Sequence, residues 1–172
     1  EIALYSNGGF IANSLGGSVS HVDTLSAGFY PYSCNSTEND NYYYSEIFGN
    51  LTVYKNSPGL SLVSYPSWQT YHFRGANVSC SVNNVQSPIS LYQNGPQINS
   101  SPSGGALSNV EFLYFGNYTY FCEALETDNY SYQNSTKVLE VSIAPANITL
   151  NSSAGWNISS GTFTSISCEA NH

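Results

Sequence analysis

The chain repeats itself at a spacing of 88 residues, and the repeat begins and ends partway through its own unit. Cys34 recurs as Cys122, Trp68 as Trp156 and Cys80 as Cys168, all at that offset. Around these anchors Gly28–Cys34 aligns with Gly116–Cys122, and Asp40-Asn41-Tyr42 aligns with Asp128-Asn129-Tyr130. Ile2–Gly8 aligns with Ile89–Gly95 at an offset of 87, so one residue is gained before Gly16. A fixed period of this size marks a tandem array of one small domain, and it divides the 172 residues into two units' worth of chain.

Composition limits what such units can do. Only 8% of residues are charged, with Lys55, Lys137 and Arg74 set against 11 acids, for a formal net charge of −8. Nucleic acid is a poor partner on that ground, because its binding rests on Lys and Arg neutralising phosphates. The acid excess favours solubility without naming a partner. No run approaches 18 consecutive apolar residues, so no membrane span is expected. The first residues lack the basic region and apolar run of a signal peptide, so the chain reads as a mature segment.

Export is argued instead by glycosylation signals. Asn35, Asn50, Asn77, Asn99, Asn117, Asn129, Asn134, Asn147, Asn151 and Asn157 each open an Asn-x-Ser/Thr triplet without proline. A chain rich in Asn, Ser and Thr produces several of these by chance. The four cysteines independently fall in a register that suits disulfides, which favours an oxidising, extracellular or cell-surface setting. N-linked glycans are the appended groups expected, with no other cofactor.

The repeat also sorts core from surface. Leu4/Leu91, Tyr32/Tyr120 and Trp68/Trp156 recur, whereas Asn50 corresponds to Val138 and Asn77 to Ser165. Recurring positions are expected to be packed and sequon positions solvated. In the Asn41/Asn129 pair only the second copy completes a sequon.

Short alternating runs, among them Asn77–Val82, Val110–Tyr114 and Lys137–Ile143, are separated by Gly, Pro, Asn and Ser and read as strands. No segment carries a 3.6-residue apolar period over helical length. Fifteen Tyr and eight Phe suit half-buried pleated surfaces, where a ring packs while a hydroxyl stays wet. The expected class is all-β, as sandwiches of two small sheets.

In these residues the chain resembles the immunoglobulin-like family. Tyr120-Phe121-Cys122 is similar to that family's Tyr-x-Cys at the start of strand F, where the tyrosine makes a corner, and Tyr32-Ser33-Cys34 repeats it. Cys80, 42 residues before Cys122, resembles the strand B cysteine, so the resemblance implies a Cys80–Cys122 bridge between sheets. Closing a loop of that length contributes about 4 kcal/mol in the chain-entropy account. One departure is that Leu91-Tyr92 stands where the family usually places a strand C tryptophan. Trp68, expected on the first strand, would supply aromatic packing from another direction. The resemblance spans residues 57–144 in full, and an unrelated disulfide-bonded β-sandwich stays open beside it.

Cys34 has no strand B cysteine before it, and the matching stretch, Thr164–Cys168, lies at the far end of the chain with Trp156. Residues 57–146 therefore read as one complete immunoglobulin-like domain. Residues 1–56 read as a repeat lacking strands A and B, and residues 147–172 as strands A and B of a next repeat. By alignment His172 corresponds to Asn84 and Glu1 to Pro88, so ends of successive copies would meet in the loop between strands B and C. An incomplete sandwich exposes a strand edge and half a core. Three arrangements satisfy this phase. Residues 147–172 of one copy complete residues 1–56 of the next, head to tail, in a contact that propagates, with Cys168 facing Cys34. Alternatively the chain is one period of a longer tandem polypeptide. In the third case its last strands fold back onto its own first unit, which the short Ala144-Pro145-Ala146 connection disfavours.

Catalysis and metal binding have little support. His21, His72 and His172 are dispersed, with no HExxH or CxxC spacing. Gly16-Gly17 and Gly104-Gly105 lie in Ser-rich loops with no helix to follow, so no phosphate cradle is expected. Asp23/Glu111 and Asp40/Asp128 recur as isolated acids and read as solvated turn or strand-edge residues. Lys55 and Lys137 occupy different repeat positions and read as surface lysines rather than isopeptide partners. Within Tyr42-Tyr43-Tyr44, the counterpart Tyr130-Ser131-Tyr132 keeps the outer two rings, which singles out Tyr43 as an exposed contact.

These features lead to an expectation of a non-enzymatic structural repeat subunit of an extracellular, glycosylated filament, whose partners are copies of itself. Rich in Tyr, Asn, Ser and Thr and nearly free of Lys and Arg, the chain is similar in composition to surface filament and envelope glycoproteins of thermoacidophilic archaea. Few charges suit an acidic medium in which carboxylates protonate. The alternative is a cell-surface or viral adhesin or receptor-type ectodomain that binds a protein or glycan through loops at the ends of its sandwiches, with Pro96–Gly105 tested first.

Overall fold

The computed structural model describes residues 1–171, and among them the chain forms strands and turns but no helix. His172 lies outside the described residues. Strands β1 (Ile2–Ser6), β2 (Gly9–Ser14), β3 (Gly28–Ser36) and β4 (Ser45–Val53) make one antiparallel sheet in the order β2-β1-β3-β4. A second body follows. Strands β5 (Ser61–Tyr65), β7 (Gly75–Ser81) and β10 (Ala106–Phe112) form a three-stranded sheet. Strands β6 (Gln69–Tyr71), β8 (Ile89–Gln93), β9 (Gln97–Ser101), β11 (Gly116–Ala124) and β12 (Gln133–Ser142) form a five-stranded sheet ordered β6-β12-β11-β8-β9. The chain closes on a hairpin of β13 (Asn147–Ser152) and β14 (Ile166–Asn171).

The second body is a β-sandwich. Along β7, Ala76, Val78 and Cys80 are buried while Asn77, Ser79 and Ser81 are half-buried, the period of two that packs one strand face. Leu62, Val78 and Leu107 from the three-stranded sheet share one core with Leu91, Tyr120 and Leu139 from the five-stranded sheet. The Cys80–Cys122 disulfide joins β7 to β11 and so ties the two sheets together, with Cα atoms 6.1 Å apart. Trp68 lies between β5 and β6 rather than on the first strand, and its ring meets Tyr120 edge-to-face at 6.4 Å. This packs an aromatic pair against the core of the sandwich.

Two sequence expectations are corrected. Tyr120 does not sit at the start of its strand or make the corner. It is buried in the middle of β11, where its hydroxyl accepts a hydrogen bond from Gln93 Nε2 at 2.9 Å. The hydroxyl bond to an upstream carbonyl is made instead by Tyr118, which donates to the Tyr114 carbonyl at 3.2 Å, and Tyr30 repeats it to the Ser26 carbonyl at 2.9 Å. Pro96–Gly105 is only in part a loop, because β9 occupies half of it, paired to β8, and residues 102–105 connect β9 to β10.

The four-stranded sheet copies β9-β8-β11-β12 strand for strand. Leu4 pairs with Cys34 as Leu91 pairs with Cys122, and Gly28 pairs with Val53 as Gly116 pairs with Val141. Both β1/β2 and β8/β9 carry an irregularity at the equivalent step, between Leu4 and Tyr5 and between Leu91 and Tyr92. Their turns use Asn7-Gly8 and Asn94-Gly95, all four at positive φ, the conformation for which Asn-Gly hairpin turns are selected. Local sequence thus builds the same half-sandwich twice.

Candidate functional site

The two halves differ in what covers them. In the sandwich, Leu91, Tyr120, Cys122 and Leu139 are fully buried. Their counterparts Leu4, Tyr32 and Cys34 are only half-buried, and Leu51 is 44% exposed, with Ile47 beside Cys34 at 70%. The face that forms a core in one copy lies open in the other.

The hairpin presents the complementary surface. Leu150 pairs with Cys168 and Ser152 with Ile166, the register in which Leu62 pairs with Cys80 and Ser64 with Val78 inside the sandwich. Leu150 is 55% exposed, and Ile148, Ile166 and Cys168 are also exposed. Among the described residues β13 and β14 pair only with each other, and neither contributes to the buried core. Trp156, which repeats Trp68, is 63% exposed.

A third element marks the same gap. Ser18–Thr24 repeats Ala106–Phe112 at the offset of 88, yet Ser18–Ser26 forms no strand, whereas β10 is one. The reason is pairing: β10 hydrogen-bonds to β7, and among the described residues no strand pairs with Ser18–Ser26.

The units are joined by contacts that sequence reading missed. Lys55 Nζ pairs with Glu126 Oε1 at 2.5 Å and donates to the Thr127 carbonyl at 2.7 Å, so it is not an isolated surface lysine. Asn56 N donates to the Asn129 carbonyl at 2.8 Å, and Ser131 N donates to the Asn56 carbonyl at 2.9 Å. Asn129 Oδ1 accepts from Ala27 N at 3.0 Å. Asn129, read as a sequon, is here a joint residue.

The remaining sequons sort by position. Asn35, Asn50, Asn117 and Asn134 stand on faces opposite the core-side residues of their strands, paired with Glu46 or Ala3, Pro31, Glu140 and Glu123 respectively. Asn147 and Asn151 likewise alternate away from Ile148 and Leu150, and Asn157 is exposed. Asn99 Nδ2 instead donates to the Ser108 carbonyl at 3.2 Å, bracing β9 against β10. Asn77 Oδ1 is buried without a hydrogen-bond partner.

Among the described residues no group of three or more His, Cys, Asp or Glu is placed to hold a metal ion. His21 lies 4.0 Å from Asp23, and His72 stacks on Phe73. Burial, followed by the nearby Glu111 charge, pushes the Tyr120 phenol up to about 12. A hydrogen bond to Glu123 raises Tyr92. Tyr42, Tyr43 and Tyr44 all stand exposed before β4, with Tyr43 the most so at 88%. No helix among the described residues is long and apolar enough to cross a membrane. No protein-family model matches the chain, and no curated protein matches it.

Proposed function

We propose that the protein is a structural repeat subunit of an extracellular, glycosylated fibre, in which β13 and β14 of one copy complete the open sheet β2-β1-β3-β4 of another, the copies being separate chains set head to tail or successive periods of one tandem polypeptide. The carrying observation is the shared register of Leu150–Cys168 and Leu62–Cys80, on a hairpin whose strands pair only with each other among the described residues, together with a sheet whose core-side residues are left half-buried or exposed. Each large apolar side chain buried on joining contributes about 1.5–3 kcal/mol, and an isolated two-stranded hairpin is marginal in water. Both surfaces therefore gain by meeting. The contact is heterologous and does not close on itself, so it propagates.

The immunoglobulin-like reading of the units is supported by strand order and bridge. β5, β7 and β10 lie over β8, β11 and β12, the disulfide runs from the second strand to the sixth long strand, and β6 pairs parallel to β12. On this reading residues 57–146 are a complete domain, residues 1–56 lack their first two strands, and residues 147–172 supply them. The extracellular setting is supported by the Cys80–Cys122 disulfide and by outward-facing sequons. Exposed Tyr43 favours a second reading, an adhesin whose loop binds a protein or glycan. There Tyr43→Ala abolishes binding without touching oligomeric state.

The test is light scattering and electron microscopy of the full chain beside Leu150→Asp. The wild type forms head-to-tail fibres, whereas the variant stays monomeric with its sandwich intact by near-UV circular dichroism. A wild type that remains monomeric at high concentration would overturn the fibre reading.

A further inference from the structure

We infer that Cys168 of one copy and Cys34 of a second copy close a disulfide across the composite sandwich, making the fibre covalently continuous. This rests on the strand-complementation reading above. Both cysteines carry free thiols in the single chain. Each stands at the repeat position of one half of a bridge that already exists: Cys34 lies opposite Leu4 as Cys122 lies opposite Leu91, and Cys168 opposite Leu150 as Cys80 opposite Leu62. In the complete unit these positions bring the Cα atoms to 6.1 Å, inside the roughly 4.4–6.8 Å window that a disulfide requires.

The surroundings select the partner. Cys34 lies on β3, an interior strand flanked by β1 and β4, half-buried between Leu4 and Ile47. A second open sheet would bring its own central cysteine to that face only by stacking strand on strand without the twisted hairpin that the register provides. The hairpin carries Cys168 exposed on the same face as Leu150, where seating its apolar side chains delivers the thiol to the sheet. The chemistry is two successive thiol–disulfide exchanges with a small-molecule disulfide. The first thiolate displaces one sulfur of the oxidant and forms a mixed disulfide. The second thiolate attacks the protein sulfur and releases the other half. Two protons and two electrons leave the pair, and the oxidant departs as two thiols.

The experiment uses full-length Cys34→Ser and Cys168→Ser, separately and mixed, with glutathione disulfide as oxidant. Each variant keeps one free cysteine and the Cys80–Cys122 bridge. Expected on denaturing gels without reductant are monomers for each variant alone, a covalent dimer and nothing larger for the mixture, and a ladder for the wild type that collapses on reduction. Native light scattering of the same samples separates the two layers of inference. Variants that associate natively yet give no covalent dimer overturn the disulfide and leave strand complementation standing. Absence of native association in every sample overturns complementation, and the disulfide with it. Covalent dimers from either variant alone overturn the Cys34–Cys168 pairing in favour of like-with-like bonding.

Discussion

Leu150 faces Cys168 across an exposed hairpin in the register that Leu62 keeps with Cys80 inside a closed core. The backbone pairing is therefore already made before any core covers it. Preformed register lowers the ordering cost of joining, because the backbone dihedrals of β13 and β14 are set in advance.

Ser18–Thr24 should become a strand only on assembly. By the β10–β7 register, Val19 would pair with the second copy's Cys168, as Leu107 pairs with Cys80. Amide hydrogen exchange across Val19–Thr24 is expected to be fast in monomer and slowed at least 100-fold in the fibre, against unchanged protection in β7 and β10. Equal protection in both states would show that these residues need no partner.

Trp156 should report the joining. It is solvent-exposed in the single chain, whereas Trp68 packs on Tyr120. In a Trp68→Phe background the remaining emission is expected to shift to the blue on polymerisation, as Trp156 moves onto Tyr32. Trp156→Ala should cost assembly about 1–3 kcal/mol by lost burial while leaving the melting temperature of the monomer unchanged. The check is a critical-concentration measurement by sedimentation.

Glycan occupancy should follow geometry rather than motif. Asn35, Asn50, Asn117 and Asn134 are expected to be occupied, since their side chains leave the sheet away from the core face. Asn99 and Asn129 are expected to be empty, because their amides hold β10 and the joint to Ala27. Site-resolved glycopeptide mass spectrometry of native material decides this, and full occupancy at Asn129 would contradict the joint.

Alkali should loosen the sandwich through Tyr120. Its folded pKa, about 12, lies above the ordinary value of 10.0. The stabilisation from the neutral buried phenol is thus complete below pH 10 and is lost as pH rises through 12. Denaturant midpoints should fall between pH 10 and pH 12, and Tyr120→Phe, which leaves Gln93 bonded to Glu111, should flatten that fall.

Much of this was legible in the residues. The all-β class follows from the short alternating runs, the Cys80–Cys122 bridge was implied by the resemblance to the immunoglobulin-like family, and the burial of Leu91, Tyr120 and Cys122 follows from recurrence, because a position kept in two copies is one that packing constrains. The joint made by Lys55 and Asn129 was not legible, because a contact between units occurs only once within the chain and so leaves no internal echo. Tyr118 was passed over in favour of Tyr120 because such a hydroxyl bond depends on where β11 begins, which no spacing reveals.

By itself the sequence determined two copies of one half-sandwich, down to the Asn-Gly turns and the alternation of each strand, because those are set by local backbone preference and by apolar period. Tertiary structure alone decided that, among the described residues, β13 and β14 pair with each other and do not fold back to pair with the first sheet of their own chain. Coverage depends on strands distant in sequence: β5 and β7 reach the face of Leu91 and Cys122, while β13 and β14, with the same register, leave Leu4 and Cys34 open. An identical pattern can thus be core or interface, and only the presence of a packed partner distinguishes the two.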